Sequence, residues 1–243
     1  MSVLFHVSDL HFGREDRLAL DWFASAVATE RPDAVLITGD LTMHARSREF
    51  DAAAAWLAQL EAPLSIEVGN HDLPWFNPFN RFVRPYARYN RVERALERPF
   101  EMDDVAIVPL KTTARAQWRG NWAHGVVTQR RIDRTVATLA AVPPGRVRIV
   151  TCHHPLYDKP GGHTGAHTRY GRAALLALAD ADTDLVLSGH VHDPFDFLWT
   201  EGSRPVRLIG AGTLSERIRT SVPSFNRIAI DQGAVHVEHR LLG

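Results

Sequence analysis

One cysteine, Cys152, occurs among the 243 residues. It has no partner for an internal disulfide, so nothing in the chain points to an oxidising compartment. Lysine plus arginine number 28 and aspartate plus glutamate also 28, which leaves no formal net charge. A dedicated nucleic-acid binder carries a basic excess that this chain lacks overall, although a local basic patch is compatible with these numbers. No stretch approaches the roughly 20 apolar residues of a membrane span. The first apolar run, Val3–Val7, is too short for a signal-peptide core and ends at Ser8-Asp9. A reduced, soluble, cytoplasmic protein is the expectation. With 45% hydrophobic and 23% charged residues the chain is not a disordered one, and its length suits a single α/β domain over 1–243. What it has in quantity is histidine, 13 in all, and several of these follow predicted strands.

Val3–Val7, Ala34–Thr38 and Leu64–Val68 read as short buried strands, with helical runs over 15–30 and 46–60 between them. In the first helix Leu18, Trp22 and Ala26 recur every fourth residue, and Phe23 and Val27 widen the apolar face; in the second, Phe50, Ala53, Leu57 and Leu60 share one face. Such alternation predicts βαβ units and a largely parallel sheet. Residues 74–100 break the rhythm as a helical insertion. Phe79, Phe82, Tyr86, Tyr89, Val92 and Leu96 step by three or four, and Arg81, Arg84, Arg88, Arg91, Arg94 and Arg98 keep the same step out of phase. Arginines should therefore lie opposite aromatics, in two short helices with Pro85 in the first turn of the second. The arginine face is read as solvated, and the aromatic face as packing on the domain or across a homodimer. Later strands are predicted at 105–110, 147–151, 185–188, 206–209, 227–230 and 234–239, with helices near 130–141 and 172–179. Loops 111–125 and 155–171 carry His124, His163 and His167, and such loops can cover a crevice.

Polar residues collect where the predicted strands end: Asp9-Leu10-His11, Gly39-Asp40, Gly69-Asn70-His71-Asp72, His153-His154-Pro155 and Gly189-His190-Val191-His192. The C-terminal strand ends of an open α/β sheet form its binding crevice, so these groups should converge. Carboxylate oxygens and imidazole nitrogens suit Mn, Fe, Zn or Co and need no thiolate. Asp-x-His and His-x-His put alternate residues on one side of an extended segment. Asp40 is the candidate bridge, offering one oxygen to each of two cations. Any one of the acidic residues could be an ordinary turn former, but that does not explain four histidines at the matching places.

These five blocks, in this order over residues 9 to 192, resemble the signature of the calcineurin-like metallophosphoesterases. The resemblance implies an α/β fold, a β-sandwich of two mixed sheets flanked by helices. It also implies two metal sites, one taking Asp9, His11, Asp40 and His192, the other Asp40, Asn70, His153 and His190. Asn70 and His71 would bind substrate, His71 would stabilise or protonate the leaving oxygen, and Asp72 would orient His71. The His-x-Pro pattern favours His153 over His154 as ligand. Gly39-Asp40-Leu41-Thr42, Glu49-Phe50 and Gly69-Asn70-His71-Asp72-Leu73-Pro74 are similar to the bacterial class III cyclic-nucleotide phosphodiesterase type. The related lipid A pyrophosphatases typically have arginine where His71 stands, which argues against that reading.

The expected chemistry is phosphodiester hydrolysis. Two cations roughly 3.5–4 Å apart clamp an in-line displacement, and a water held between them becomes a bridging hydroxide nucleophile. Two divalent cations, Asp9, Asp40 and a hydroxide sum to about +1, which a diester monoanion neutralises. A small phosphodiester is the expected partner; a nuclease or a broad phosphomonoesterase on the same centre is the alternative, with a non-catalytic scaffold behind both. The zero net charge argues against nucleic acid, and the full ligand set against a scaffold. His6, inside a strand, is expected to be a satisfied core histidine, and Cys152, opposite in direction to His153, a buried inert thiol. Asp72, standing before Leu73-Pro74, could equally cap a turn.

Overall fold

A computed structural model describes residues 1–75, 77–98, 100–114, 123–158 and 168–243, the side chain of Pro78 aside. In chain order the elements are β1 (Ser2–Val7), α1 (Arg17–Glu30), β2 (Ala34–Ile37), α2 (Ser47–Leu57), β3 (Leu64–Ile66), α3 (Pro78–Val83), α4 (Ala87–Leu96), β4 (Val105–Pro109), α5 (Gln129–Ala140), β5 (Val147–Thr151), α6 (Gly171–Asp180), β6 (Leu185–Ser188), β7 (Phe195–Trp199), β8 (Val206–Gly210), β9 (Ser224–Asp231) and β10 (Ala234–Leu241). They build two five-stranded sheets, in the orders β10-β9-β1-β2-β3 and β4-β5-β6-β8-β7. Strands β1 to β3 run parallel, as do β4, β5, β6 and β8; β9, β10 and β7 are antiparallel additions at the edges. Both sheets are therefore mixed and flanked by helices, as the family resemblance implies.

The period-two alternation of the strands explains the layering. Leu4, Leu36, Ile149, Leu187, Ile209 and Ile228 point between the sheets and form the central core. Their neighbours Phe5, Val7, Val35 and Ile37 point outward and meet Phe23 and Val27 of α1 and Phe50, Ala53 and Leu57 of α2. Strands buried on both faces read as continuous apolar runs, which is what the first three are. Helix α1 starts where Asp16 accepts the Ala19 N–H at 3.2 Å and ends at Arg31 in the left-handed conformation. Its buried face is Ala19, Leu20, Phe23 and Val27, while Leu18 is exposed; the expected stripe is off by one residue, about a quarter of a turn. Helix α2 begins with Glu49 accepting the Arg46 N–H at 3.3 Å and the His44 N–H at 2.8 Å.

Three expectations change. β7 closes the second sheet where no strand was expected; its five residues follow the histidine pair so closely that they read as loop. Pro85 lies before Tyr86, the residue that caps α4, instead of in the helix's first turn. The opposition of arginines and aromatics holds in α4, where Tyr89 and Val92 are buried and Arg91 reaches Asp51 at 2.6 Å. It fails in α3, where Phe79 is exposed and Arg81 is buried, donating to the Ala114 carbonyl at 3.2 Å. A six-residue helix has too few turns to present one continuous face to the core.

His6 is the satisfied core histidine it was expected to be, with Thr38 Oγ1 at 3.0 Å and Asn226 Nδ2 at 3.1 Å on its two ring nitrogens. Cys152 is buried, and burial pushes its thiol well up.

Glu67, just after β3, joins the sheets by accepting from Thr151 Oγ1 at 2.9 Å. Burial pushes its carboxyl up to about 8, against the pull of that hydrogen bond, from 4.5 in a solvated chain. Between these pH values the folded state holds a proton that the unfolded state releases, so stability must fall as pH rises from about 4.5 to about 8. The full shift corresponds to at most about 5 kcal/mol. Glu67→Gln should match the wild type near pH 5 and exceed it in melting temperature at pH 8. An unchanged pH slope in that variant, followed by calorimetry, would assign the loss to another group.

Candidate metal centre

The parallel strands β1, β2, β5, β6 and β8 deliver their C-terminal ends to one end of the sandwich. The loops there are stitched together by backbone bonds: Asp9 N–H to Gly39 O at 3.0 Å, His11 N–H to Asp40 O at 3.0 Å and Gly189 N–H to His153 O at 2.9 Å. Asp9, His11, Asp40, His190 and His192 all have φ between 46° and 70°. Left-handed backbone costs a non-glycine residue about 1–3 kcal/mol, and Asp and His bear it better than most. Repeating it five times turns each loop back over the strand ends. Gly39 has a φ of 97° and Gly189 packs so close to β1 that a Cβ there would overlap Ser8 Oγ.

Two carboxylates lie at the bottom. Asp9 Oδ2 accepts the His190 N–H at 2.8 Å, and Asp40 Oδ1 accepts the His71 N–H at 2.8 Å. The remaining oxygens, Asp9 Oδ1 and Asp40 Oδ2, are buried and accept no hydrogen bond. Each instead faces imidazole Nε2 atoms. Asp9 Oδ1 lies 3.5 Å from His11 and 3.1 Å from His192; Asp40 Oδ2 lies 3.9 Å from His11 and 3.3 Å from His153. Asp40 Oδ2 thus lies between His11 on one side and His153 on the other, while Oδ1 accepts the His71 N–H. Asn70 Oδ1 stands 3.1 Å from His153 Nε2, and the His153 and His190 rings are 5.2 Å apart between centroids.

The tautomers follow from the other ring nitrogen. Nδ1 of His153 faces the Thr38 carbonyl at 2.7 Å, that of His192 the Arg217 carbonyl at 2.5 Å, and that of His11 the Thr42 carbonyl at 3.4 Å. A carbonyl can only accept, so each Nδ1 carries a proton and, in the neutral ring, each Nε2 a lone pair. Lone pairs aimed at orphaned carboxylate oxygens repel unless a cation lies between them. Nitrogen and oxygen donors of this kind suit borderline divalent ions, and carbonyls held against the far ring nitrogen are the usual way to orient imidazole ligands. Groups able to hold an ion include Asp9, His11 and His192, and Asp9, Asp40 and His153.

The electrostatics agree. Burial alone would raise the Asp9 carboxyl, but His192 and His11 hold it well below the carboxylate range. Asp40 is likewise held low, chiefly by His153, against its burial. Burial opposes protonation of His153, yet Asp40 pushes it up to about 9, and Asp9 raises His192 in the same way. His190 is pushed down to about 3 by burial and by His153, which outweigh the pull of Asp40 and Asp9. The carboxylates thus draw protons toward His153 and His192, the positions at which cations would compete with them.

The other candidates separate clearly. Asp72 is buried, and its carboxylate accepts from Leu41 N–H at 3.2 Å, Thr42 N–H at 2.9 Å, Thr42 Oγ1 at 3.0 Å and Gly69 N–H at 2.9 Å. Its role of orienting the His71 ring is corrected: His71 Nδ1 faces the Met43 carbonyl at 2.8 Å, and Asp72 locks the two loops that carry Asp40 and Asn70. Burial and the Asp40 charge push Asp72 up to about 7. His154 lies near His153 and His190, but both its ring nitrogens have partners, Thr112 Oγ1 at 2.9 Å and the Ala123 carbonyl at 2.8 Å. His163 and His167 lie outside the described residues. The residue that the motifs missed is Arg217, whose guanidinium lies 3.1 Å from His71 Nε2 and 3.3 Å from His11 Nε2. It follows β8, another parallel strand, so the strand-end rule that singled out the other blocks would have reached it.

Residues 3–194 match the calcineurin-like phosphoesterase family. Over 200 residues the chain is 26% identical to a probable cyclic nucleotide phosphodiesterase of Rhodopseudomonas palustris, covering 77% of this chain and 68% of that protein. A shorter stretch of 81 residues, 29% of each protein, is 33% identical to the glycerophosphodiester phosphodiesterase GpdQ of Enterobacter lignolyticus. In fold, the chain superposes on a dimetal phosphatase from Danio rerio with a TM-score of 0.67 at 12% identity, over 99% of this chain and 96% of that one.

Two substitutions separate ligand from scaffold. Asp40→Ala removes the oxygen shared by both sides, so elemental analysis should find neither ion; two ions per chain would disprove the shared position. Asp72→Ala strands three buried backbone donors and should lower the unfolding free energy of the metal-free protein by about 3–5 kcal/mol in denaturant titrations. A loss below about 1 kcal/mol would mean that the loops hold without it.

Proposed function

The chain belongs to the calcineurin-like phosphoesterase family, and from that membership we propose that it is a metal-dependent phosphodiesterase acting on small diesters, with 3′,5′-cyclic nucleotides as the first candidates. The observation that carries this reading is the pair of buried, unbonded carboxylate oxygens, Asp9 Oδ1 and Asp40 Oδ2, each facing histidine Nε2 atoms. Asp9, His11, Asp40 and His192 would hold one cation, and Asp40, Asn70, His153 and His190 the other. Mn, Fe, Zn and Co all suit these donors. When bound, the pair supplies an activated water and draws in the non-bridging oxygens of the phosphate.

The chain's own side chains do the rest. Asn70 and His71 stand at the mouth of the pocket and would meet the substrate. The Met43 carbonyl fixes the His71 ring so that Nε2 looks into the pocket. From there it would stabilise or protonate the departing alkoxide, which leaves poorly unaided. Asp72 keeps the Asp40 and Asn70 loops in register and touches no substrate. The diester reading is supported by the activities for which the two curated relatives are named. The single buried cysteine goes with a reducing, cytoplasmic setting.

The test is a substrate panel with protein stripped by chelator and reloaded with each metal. Bis-p-nitrophenyl phosphate, cyclic nucleotides, glycerophosphodiesters and p-nitrophenyl phosphate should rank with diesters turned over and activity returning only with metal. His71→Ala should keep both ions and lose about 10²–10⁴-fold in kcat on natural diesters. Absence of diester turnover under every metal would sink the proposal; an undiminished His71→Ala would remove that histidine from the reaction.

A further inference from the structure

We propose that Arg217 is a phosphate clamp, its guanidinium holding a non-bridging oxygen of the substrate over the carboxylate–histidine pocket and thereby widening what the site accepts. This rests on the phosphodiesterase reading and adds to it a residue outside the five sequence blocks. The placement of Arg217 is built, not incidental. Its loop is tied to β1's loop by Thr213 Oγ1 donating to the Asp9 carbonyl at 2.6 Å, by Asp16 N–H to Leu214 O at 3.2 Å and by Glu216 N–H to Arg14 O at 3.0 Å. On the other side Asp193 Oδ1 accepts from Thr220 N–H at 3.0 Å and Ser221 N–H at 2.9 Å. The loop is thus fastened to both histidine-bearing segments that flank the pocket.

The residue divides into two parts with separate tasks. Its backbone carbonyl receives His192 Nδ1 and orients that ring. Its side chain passes over the pocket to the nitrogens of His71 and His11. A guanidinium has no acceptor, so His71 Nε2 must accept from it and can hold no proton while it does. If His11 Nε2 serves a cation, its lone pair is withdrawn from Arg217 as well. The guanidinium then has free donors facing the place where phosphate would sit, and paired N–H groups are the geometry that phosphate oxygens bind best. When it turns to an incoming phosphate it releases the lone pair of His71 Nε2, which can then take a proton from water and carry it to the leaving group.

Charge gives the consequence for specificity. Counting Arg217 lifts the formal excess at the centre from about +1 to about +2. A monoester dianion or a released monoester product matches that as a diester monoanion matches the lower figure. Arg217 should therefore matter more for dianionic than for monoanionic phosphates.

The experiment compares wild type, Arg217→Ala and Arg217→Lys, all metal-loaded. Inorganic phosphate binding is measured by calorimetry, metal content by elemental analysis, and KM and kcat with p-nitrophenyl phosphate and its bis ester. The Ala variant keeps the backbone carbonyl, so it should retain two ions per chain while phosphate affinity falls about 10–100-fold. KM should rise more than kcat falls, monoester turnover should suffer more than diester, and Lys should restore part of the affinity. Phosphate affinity within twofold of wild type would overturn the clamp, as would loss of the ions together with the affinity, which would make the side chain structural. Because phosphate binding is read without turnover, a chain inactive on every diester sinks the phosphodiesterase assignment and leaves the clamp to be judged by its own titration.

Discussion

Two carboxylate oxygens buried without a hydrogen bond, Asp9 Oδ1 and Asp40 Oδ2, impose the arrangement around them. An ionised carboxylate removed from water is costly unless positive charge is placed against it. Among the described residues no lysine or arginine forms a salt bridge there. The chain supplies His11, His153 and His192, whose outer nitrogens are tied to main-chain carbonyls and whose inner nitrogens point at the carboxylates. Protonated, His153 and His192 satisfy the charge; neutral, they make with the carboxylates a donor set for cations. A buried salt bridge would satisfy the carboxylates permanently, whereas protonated imidazoles hold the place only until something competes for it.

Such a pocket needs residues from distant parts of the chain, and the double sheet brings them together. β1 and β2 belong to one sheet, β5, β6 and β8 to the other, and their C-terminal ends open onto a common end. Contacts that cross the sandwich, such as Thr151 to Glu67 and Asn226 to the Gly210 carbonyl, lie just beneath the pocket. The five left-handed residues add strain where the ligands are. The apolar layers around Leu4, Leu36 and Ile149 and around Phe5, Phe23 and Phe50 are continuous enough to carry it. Stability and site geometry are in this sense opposed, and the burial of Glu67 and Asp72 as high-pKa carboxyls is further tension in the same region.

Much of this was legible in the residues. Fully buried strands such as Leu185–Ser188 stand out because both faces are apolar, and the ligand blocks because Asp and His recur where those strands stop. The parts that were not legible share a physical cause: they depend on partners that a linear pattern does not encode. Leu18 fits the helical period yet faces solvent, since Asp16 sets the start of α1 and hence the phase of its buried face. Arg81 follows the solvated stripe yet is buried, because the Ala114 carbonyl comes within its reach from another segment. Asp72 sits beside His71 in the chain, but its four donors come from two loops, so adjacency suggested the wrong contact. Met43, Thr38 and Thr42 act through their carbonyls, and any residue at those positions carries one.

That last point bears on where specificity resides. The inner groups of the pocket are set by charge and by main-chain carbonyls, and they would treat one phosphate ester much like another. Discrimination has to come from the rim, where side chains meet the parts of a substrate beyond its phosphorus and where the total charge can still be adjusted. His71 and Arg217 are at that boundary, sharing one contact between them. A cation that leans on a histidine in the resting site and on phosphate in the loaded one would make the acid and the clamp alternate uses of the same hydrogen bond. Binding of the substrate would then itself free the imidazole nitrogen, which has to take up a proton from water before it can give one to the leaving oxygen.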